Sequence, residues 1–262
     1  MEKIKVFLSD PQVLFREGIH FILSGEDDFD VTGESTDNED ALKNIEANIP
    51  SVAILSMNDA RFGGPEIARR IKRSLPSVAV ILTVDRKENE TLFAAMRSGA
   101  GACLTKDIDP ESLLNVVRLV AGGDIPLTDD LLRPELAAMA LAEFEDLAAL
   151  NEQVDNLLAN LTAKESQILS GIAAGETLGQ ITAKLDMTEE TARRNLRLVL
   201  NKLVANDQAR AVIEAAQRSL PAIIRGVGRK TGKSSEYITR AEFNEFKENL
   251  MDRLKDFLGQ LK

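Results

Sequence analysis

Three arginines, Arg193, Arg194 and Arg197, fall within one predicted helix that covers residues 188–204. The apolar residues of this helix recur at helical spacing and should face a core: Ala192, Leu196, Val199, Leu200 and Leu203. The three arginines and Asn201 then face outward. An arginine guanidinium can donate two hydrogen bonds to guanine in the major groove or pair with a phosphate. The pattern suits a helix that reads DNA, whereas the ordinary alternative is a solvated charged face.

Two capping signals precede this helix. Thr162 is followed three residues later by Glu165, and Thr177 is followed by Gln180 at the same spacing. In such a capping box the hydroxyl and the longer side chain satisfy free amides at a helix start. Thr188 can cap the third helix. We therefore expect a compact helical unit over residues 161–218.

Polar side chains also follow several predicted strands in the first 125 residues. Short apolar runs at 4–9, 30–35, 51–56, 78–84 and 102–105 alternate with segments of helical period, which predicts a parallel sheet with crossover helices. The carboxyl ends of parallel strands form the ligand crevice of such folds. The residues expected at this edge are Ser9, Asp10, Pro11, Ser56, Thr83 and Lys106.

The helical unit resembles the LuxR-type helix-turn-helix domain of response-regulator transcription factors. The resemblance runs without a gap from LTAKESQILSGIAAGETLGQITAKLDMT to EETARRNLRLVLNKLVANDQARAV, and it includes Leu161, Glu165, Leu169, Ala173, Gly175, Ile181, Leu185, Leu203, Ala211 and Val212. It implies that double-stranded DNA is the partner. The residues expected to contact DNA are Thr191, Arg193, Arg194, Arg197, Asn201 and Lys202.

Residues 4–125 are similar to the receiver domain of the same regulators, from VFLSDPQVLFREGI through VAILSMNDARFGGPEIARRI to GAGACLTKD. The resemblance implies a site for aspartyl phosphorylation and for Mg²⁺, which needs two adjacent acids, a nucleophilic aspartate, a hydroxyl and a lysine. Asp10 keeps one acid, Pro11 or Ser9 stands where the other belongs, and Ser56 replaces the aspartate. Thr83 and Lys106 are retained. We expect a receiver-like domain that is not phosphorylated on aspartate and holds no metal.

Composition excludes several other classes of protein. The chain has one cysteine and one histidine, so an intramolecular disulfide is impossible and a zinc site or a Ser/His/Asp hydrolase lacks its residues. Gly232-Lys233-Ser234 would end a P-loop, but the first glycine of that motif would fall at Val227. No long apolar run and no signal peptide are present, which predicts a cytoplasmic protein. No constellation of residues in the sequence supports an enzyme, and we expect no cofactor.

The remaining residues form connecting and terminal segments. Between the domains, residues 126–160 carry a net charge of −7 and place Leu147, Leu150, Val154, Leu157 and Leu161 at coiled-coil spacing, which favours a homodimer. The alternative is one helix packed on its own chain. Residues 219–262 combine a basic, glycine-rich linker with an amphipathic helix that carries Phe243, Phe246, Leu250, Leu254, Phe257, Leu258 and Leu261 on one face.

The predicted architecture is thus an α/β receiver-like domain of flavodoxin type with a five-stranded parallel sheet, an all-α helix-turn-helix domain and a C-terminal helix. The predicted function is transcription regulation in a two-component system without aspartyl phosphorylation. Dimerisation, a protein partner or a small ligand at the receiver-like domain would supply the signal. The alternative is a receiver-like adaptor whose C-terminal helix binds a partner protein or a membrane surface.

Overall fold

The structure is a computed structural model that describes residues 3–58, 63–153 and 158–219, with only the backbone described for 148–153 and 213–219. Its sheet has five parallel strands: β1 (Ile4–Ser9), β2 (Phe29–Ser35), β3 (Val52–Ser56), β4 (Ala79–Val84) and β5 (Ala102–Thr105). Their order across the sheet is β2-β1-β3-β4-β5. The order reverses between β1 and β3, so the carboxyl ends of these two strands flank the crevice of a doubly wound fold. The predicted strands and fold class are confirmed.

Each strand is followed by one helix: α1 (Val13–Ser24), α2 (Asn38–Ala47), α3 (Gly64–Ser74), α4 (Asn89–Ser98) and α5 (Pro110–Ala121). Alternate strand residues face opposite sides of the sheet, because the side-chain period of a strand is two. Val6, Leu8 and Ile54 pack with α1 and α5, whereas Phe7 and Leu55 belong to the core on the other side. The sheet is therefore buried on both faces.

The core on the second side continues beyond the sheet domain. After α5 the chain forms the short helix α6 (Leu127–Asp130) and the 20-residue helix α7 (Pro134–Gln153). One continuous buried cluster joins the sheet domain, these two helices and the C-terminal helical domain through the following residues: Leu92, Met96, Leu127, Leu131, Leu136, Phe144, Ile168, Leu169, Leu196 and Leu203. Accordingly, Met1–Asp146 and Asn160–Val204 form one compact unit.

The C-terminal helical domain contains α8 (Ala163–Ala173), α9 (Leu178–Lys184) and α10 (Glu189–Ser219). Both predicted capping boxes are present, at Thr162 with Glu165 and at Thr177 with Gln180. The third helix begins as expected, because the Thr188 hydroxyl accepts a hydrogen bond of 3.2 Å from the Thr191 amide. It does not end near Val204, however. The helix continues for 31 residues, about 46 Å.

A second compact unit contains Leu147–Ala159 and the chain from Ala205 onward. Within it, the Asn206 side chain binds the Ala159 backbone twice, accepting from the amide at 2.8 Å and donating to the carbonyl at 2.9 Å. Of the predicted coiled-coil positions, Leu147 is buried and Leu161 packs against the large core of the first unit. Val154, Leu157 and the amphipathic C-terminal segment lie outside the described residues. No described helix has the length and apolar character needed to span a membrane.

Candidate DNA interface and strand-end site

The first half of α10 separates apolar and polar side chains as its sequence predicts. Ala192, Leu196 and Val199 are fully buried, whereas Arg193, Arg194, Arg197, Asn201 and Thr191 are exposed. Three guanidinium groups therefore project from one side of a helix whose opposite side is anchored in a core. Such a helix can approach a DNA groove without losing its own packing.

The helices α8 and α9 hold α10 in place through a close contact. An added Cβ at Gly171 of α8 would lie 2.8 Å from Cγ1 of Ile181 on α9, so only glycine allows this approach without a shift. Ile181, Ile168 and Leu169 are buried with the apolar side of α10 in the same core. The helix-turn-helix geometry thus follows from a close helix pair and two capped helix starts.

Lys202 stands apart from the other predicted DNA contacts. Its ammonium group donates to Oε2 of Glu165 at 2.6 Å and to the Asn160 carbonyl at 3.0 Å. Glu165 is only 2% exposed and its carboxylate also accepts the Thr162 amide of the capping box. Burial alone would raise the pKa of Glu165, but the hydrogen bonds from Lys202 and Thr162 hold this pKa below its usual value. Lys202 therefore neutralises a buried acid inside the domain.

Two of the exposed arginines pair with acids that precede α7. Arg193 forms an ion pair with Asp129 of α6. Nη2 of Arg197 lies 3.1 Å from Oδ1 of Asp124, in the segment between α5 and α6. Arg194 has no ion pair among the residues that the structure describes. The side of α10 that carries the arginines thus contacts an acidic segment of its own chain.

The predicted strand-end residues meet at the carboxyl edge of the sheet. Nζ of Lys106 lies 2.8 Å from Oδ2 and 3.0 Å from Oδ1 of Asp10. The Thr83 hydroxyl donates to the same carboxylate at 3.3 Å, and the Gln12 amide donates at 2.8 Å. Asp10 is almost fully buried, and the ammonium group of Lys106 balances its charge.

Ser56 lies at the end of β3 beside Thr83 in the strand register. It is 1% exposed, and its carbonyl accepts a hydrogen bond of 2.9 Å from Nδ2 of Asn38. Oδ1 of Asn38 in turn accepts the Ser9 hydroxyl at 3.0 Å. Pro11 is exposed at the start of the following turn. Ser9, Asn38 and Ser56 thus form a neutral hydrogen-bonded chain next to the strand end that carries Asp10.

This cluster does not fit the Mg²⁺ ion that receiver domains hold. Magnesium prefers an octahedral shell of oxygen ligands, with carboxylates supplying the protein's share. Among the six predicted positions only Asp10 carries a carboxylate, and both of its oxygens are bound by Lys106. Pro11 has no side-chain oxygen. The described residues contain no group of three or more histidine, cysteine or acidic residues that could hold a metal ion.

Comparisons with known proteins match both the domain with the strand-end cluster and the helical domain with α10. The response regulator receiver domain matches residues 6–118, and the luxR family of bacterial regulatory proteins matches residues 159–215. The response regulator UvrY of Escherichia coli is 30% identical over 200 residues, which are 76% of this chain and 88% of UvrY. The chain belongs to the LuxR family of response regulators.

Other relatives cover a similar share of this regulator. The uncharacterized transcriptional regulatory protein YxjL of Bacillus subtilis is 28% identical over 219 residues, 84% of this chain and 98% of YxjL. The crystal structure of the response regulator ChrA from a heme-sensing two-component system is 25% identical and covers 84% of this chain and 100% of ChrA, with a TM-score of 0.43. The two matched domains and the relatives UvrY and YxjL identify the regulator as a two-component response-regulator transcription factor of the LuxR family.

The predicted arginines of the regulator share one exposed helix side, and the six predicted strand-end residues lie at one sheet edge. The acidic partners of the arginines were not predicted. Asp124 and Asp129 were not selected. The net charge of −7 over residues 126–160, which include Asp129 but not Asp124, was the available signal.

Proposed function

We propose that this regulator binds double-stranded DNA through the exposed side of α10 and that it does so without aspartyl phosphorylation. The observation that supports DNA binding most directly is the set of three exposed arginines on a helix whose other side is buried. Arginine reads guanine by paired hydrogen bonds and neutralises phosphates. Thr191 and Asn201 add shorter polar side chains on the same exposed side.

Independence of phosphorylation is supported by the strand-end cluster. Transfer of a phosphoryl group to a receiver domain needs a carboxylate nucleophile and a metal that neutralises the developing charge. Ser56 offers a hydroxyl in place of the carboxylate. The one acid, Asp10, forms an ion pair with Lys106 and hydrogen bonds with Thr83 and Gln12. In place of phosphorylation, we propose that dimerisation, a protein partner or a small ligand at the receiver-like domain supplies the signal.

The described conformation is a closed state with respect to DNA. Arg193 and Arg197 cannot bind a DNA phosphate while they are paired with Asp129 and Asp124. The two aspartates therefore occupy the positions where phosphates would bind. Opening the contact between α10 and residues 124–129 breaks the two ion pairs, so that both guanidinium groups can bind DNA.

Apolar packing contributes most of the stability of the closed state. Both ion pairs are about half exposed to solvent, and exposed pairs contribute only about 0–1 kcal/mol each. By contrast, Val204 of α10 lies beside Gly99 of the receiver-like domain, where a Cβ added to the glycine would be 3.4 Å from Cγ1 of Val204. Leu196 and Leu203 belong to the same buried cluster as Leu92 and Met96 of α4. The ion pairs determine which side of α10 is covered, whereas the apolar contacts hold α10 against the receiver-like domain.

A selection of bound fragments from random or genomic DNA tests the proposed function. We expect an enriched sequence motif in the absence of any phosphodonor, and loss of retention in the variant that combines Arg193→Ala with Arg197→Ala. As a matched control, Arg118→Ala removes an arginine that pairs with Asp28 and Glu26 on the other side of the sheet domain. No enriched motif, or unchanged retention in the double variant, would contradict the proposal.

A further inference from the structure

A polar cavity of about 520 Å³ lies beside the strand-end cluster, at the carboxyl end of β2. Its lining comes from three parts of the chain: Arg16 of α1, Glu34 of β2 with Thr36 just after it, and Asp40 and Asn44 of α2. Asp40 and Asn44 lie four residues apart and therefore share one side of the helix. Small-molecule sites in proteins have volumes of about 300–1,000 Å³. The cavity is large enough for a small ligand, and its polar lining favours a polar one.

The guanidinium of Arg16 keeps unused donors although the residue is only 9% exposed. Its Nε donates to Oε2 of Glu34 at 3.0 Å, and its Nη1 donates to the carbonyl oxygen of Asp10 at 2.7 Å. No residue in the described ranges accepts a hydrogen bond from Nη2. A guanidinium carries five N–H groups and binds a carboxylate best through two parallel hydrogen bonds. Arg16 is thus held in place and can still bind an anionic group.

Glu34 holds this guanidinium but has no oxygen left for a ligand. Oε2 accepts from Arg16, and Oε1 pairs with Nδ1 of His20. Burial alone would raise the pKa of Glu34, but the hydrogen bonds from His20 and Arg16 hold this pKa below its usual value. The carboxylate therefore stays ionised and keeps Arg16 in one position. A ligand that carries a carboxylate supplies the acceptor that Nη2 of Arg16 lacks.

The α2 side of the cavity is acidic. Nζ of Lys43, the one cation of α2, lies 3.0 Å from Oδ1 of Asp40 and 3.9 Å from Oε1 of Glu39. The hydrogen bond to Asp40, together with the charges of Glu39 and Asp37, raises the pKa of Lys43. Nδ2 of Asn44 donates to the Asp40 carbonyl at 2.9 Å, and its Oδ1 has no donor among the described residues. This side therefore offers an unused acceptor in negative surroundings, which suits an ammonium group.

We propose that this cavity binds a free α-amino acid. The ligand carboxylate accepts hydrogen bonds from Arg16 and from the hydroxyl of Thr36, which is exposed and has no other partner in the described part of the chain. The ligand ammonium donates to Oδ1 of Asn44. One small molecule then uses the free donors on the α1 side and the free acceptor on the α2 side, with each of its charges facing the opposite charge of the protein.

Ligands with a single charge fit this cavity less well. Acids outnumber cations around it, so an inorganic phosphate that reaches Arg16 is repelled by the carboxylates of Glu34 and Asp40. A simple amine binds Oδ1 of Asn44 but leaves the donors of Arg16 unpaired. The described residues include no group of three or more histidine, cysteine or acidic residues that could hold a metal ion. A zwitterion is the ligand class that pairs with both sides.

The position of the cavity connects the ligand to the strand-end cluster. Arg16 donates to the backbone carbonyl of Asp10, and the carboxylate of Asp10 pairs with Lys106. A ligand that binds Arg16 therefore acts one hydrogen bond away from the central residue of that cluster. As a signal, the amino acid rests on the proposed function, in which a small ligand at the receiver-like domain replaces phosphorylation. Binding of the ligand needs no DNA.

Calorimetric titration of the full chain with each of the standard L-amino acids tests the ligand class. We expect one or a few amino acids with polar side chains to bind. The N-acetyl derivative and the carboxamide of the same amino acid each lack one charge, and each should bind about tenfold more weakly or worse. No binding by any standard amino acid at millimolar concentration would overturn the proposal. Equal binding of either derivative would overturn it as well.

Variants at exposed positions test the site with little effect on the fold. Asn44→Ala removes the proposed acceptor for the ammonium, whereas Asn48→Ala removes the same amide one turn further along, outside the cavity lining. We expect Asn44→Ala to weaken binding by about tenfold and Asn48→Ala to leave it unchanged. Thr36→Val should also weaken binding, and Thr36→Ser, which keeps the hydroxyl, should bind as wild type. Wild-type affinity in Asn44→Ala or in Thr36→Val would overturn the proposed contacts.

Failure of this proposal and failure of the proposed function are distinguishable, because the titration is done without DNA. A chain that selects a DNA motif but binds no amino acid contradicts the ligand site alone. A chain that binds an amino acid but enriches no DNA motif contradicts the proposed function alone. Where both are found, a saturating amino acid should change the dissociation constant for the selected DNA, and an unchanged constant would contradict its role as the signal.

Discussion

The guanidinium of Arg193 on α10 forms an ion pair with the carboxylate of Asp129 on α6, and Arg197, one turn further along α10, pairs with Asp124. The arginines selected from the sequence as DNA contacts are therefore bound to carboxylates of the same chain. A carboxylate and a phosphate bind a guanidinium in the same way, through two parallel hydrogen bonds. In the proposed function, DNA and the segment 124–129 would therefore compete for the same side chains.

Removal of the two carboxylates should tighten DNA binding. The variant that combines Asp124→Asn with Asp129→Asn loses both ion pairs of the closed state, each of which contributes about 0–1 kcal/mol. We expect DNA affinity to rise by up to about 30-fold, since the two pairs together contribute at most about 2 kcal/mol and 1.4 kcal/mol corresponds to a factor of ten. Electrophoretic mobility shift or fluorescence anisotropy with a selected DNA measures the change.

The control for that variant is Asp40→Asn. Asp40 is exposed and pairs with Lys43 on α2, so its loss removes one negative charge without touching α10. Its effect on DNA affinity should be small. Equal tightening by Asp40→Asn and by the double variant would assign the effect to net charge and contradict competition at α10.

Arg194→Ala should weaken DNA binding without opening the closed state. Arg194 is exposed on α10 beside Arg193 but has no ion pair among the described residues. Loss of an arginine that contacts a base costs about 1–3 kcal/mol, or roughly 5- to 150-fold in affinity. Arg193→Ala also removes the ion pair with Asp129, so its net loss should be smaller. An Arg194→Ala variant with wild-type affinity would place this side chain outside the DNA interface.

Magnesium binding should return only when two carboxylates are restored. Pro11→Asp or Ser56→Asp alone gives Asp10 one acidic neighbour, whereas the double variant supplies the carboxylate set that receiver domains use. We expect calorimetry to show Mg²⁺ binding for the double variant and none for wild type. Tight Mg²⁺ binding by the wild-type chain would contradict our interpretation of the Asp10 and Lys106 ion pair.

The Glu165 carboxylate should make the stability of the helical domain depend on pH. Its pKa is lowered in the folded chain, so its stabilising effect is present above the pKa of the unfolded chain and is lost as pH falls through the folded value. Glu165→Gln should lower the free energy of unfolding at pH 7 by about 1–3 kcal/mol. Denaturant titrations should show that the difference is constant above about pH 5 and shrinks below about pH 4. A difference that does not vary with pH would contradict this role.

Local sequence signals predicted most of the fold because each has a local physical cause. The two capping boxes lie within four residues of chain, and their hydrogen bonds form as expected at Thr162 and Thr177. The inward apolar residues of α10 follow from helical periodicity alone. The length of α10 was missed although a signal existed, since neither glycine nor proline interrupts residues 189–219.

Long-range contacts could not be predicted from such signals. Asp129 and Arg193 are 64 residues apart, and their pairing depends on how α6 and α10 pack on a common core. The engagement of Lys202 with buried Glu165 likewise depends on tertiary packing, whereas Lys202 was included among the expected DNA contacts with the family resemblance. The strand-end residues were easier to predict because parallel strands bring their carboxyl ends to one edge.

The dissociation constant of the full chain for its selected DNA, measured with and without acetyl phosphate and Mg²⁺, tests the central claim most directly. We predict the same constant under both conditions and a lower constant for the variant that combines Asp124→Asn with Asp129→Asn. Binding that appears only after phosphodonor treatment, with a phosphoryl group on the intact chain, would contradict regulation without aspartyl phosphorylation.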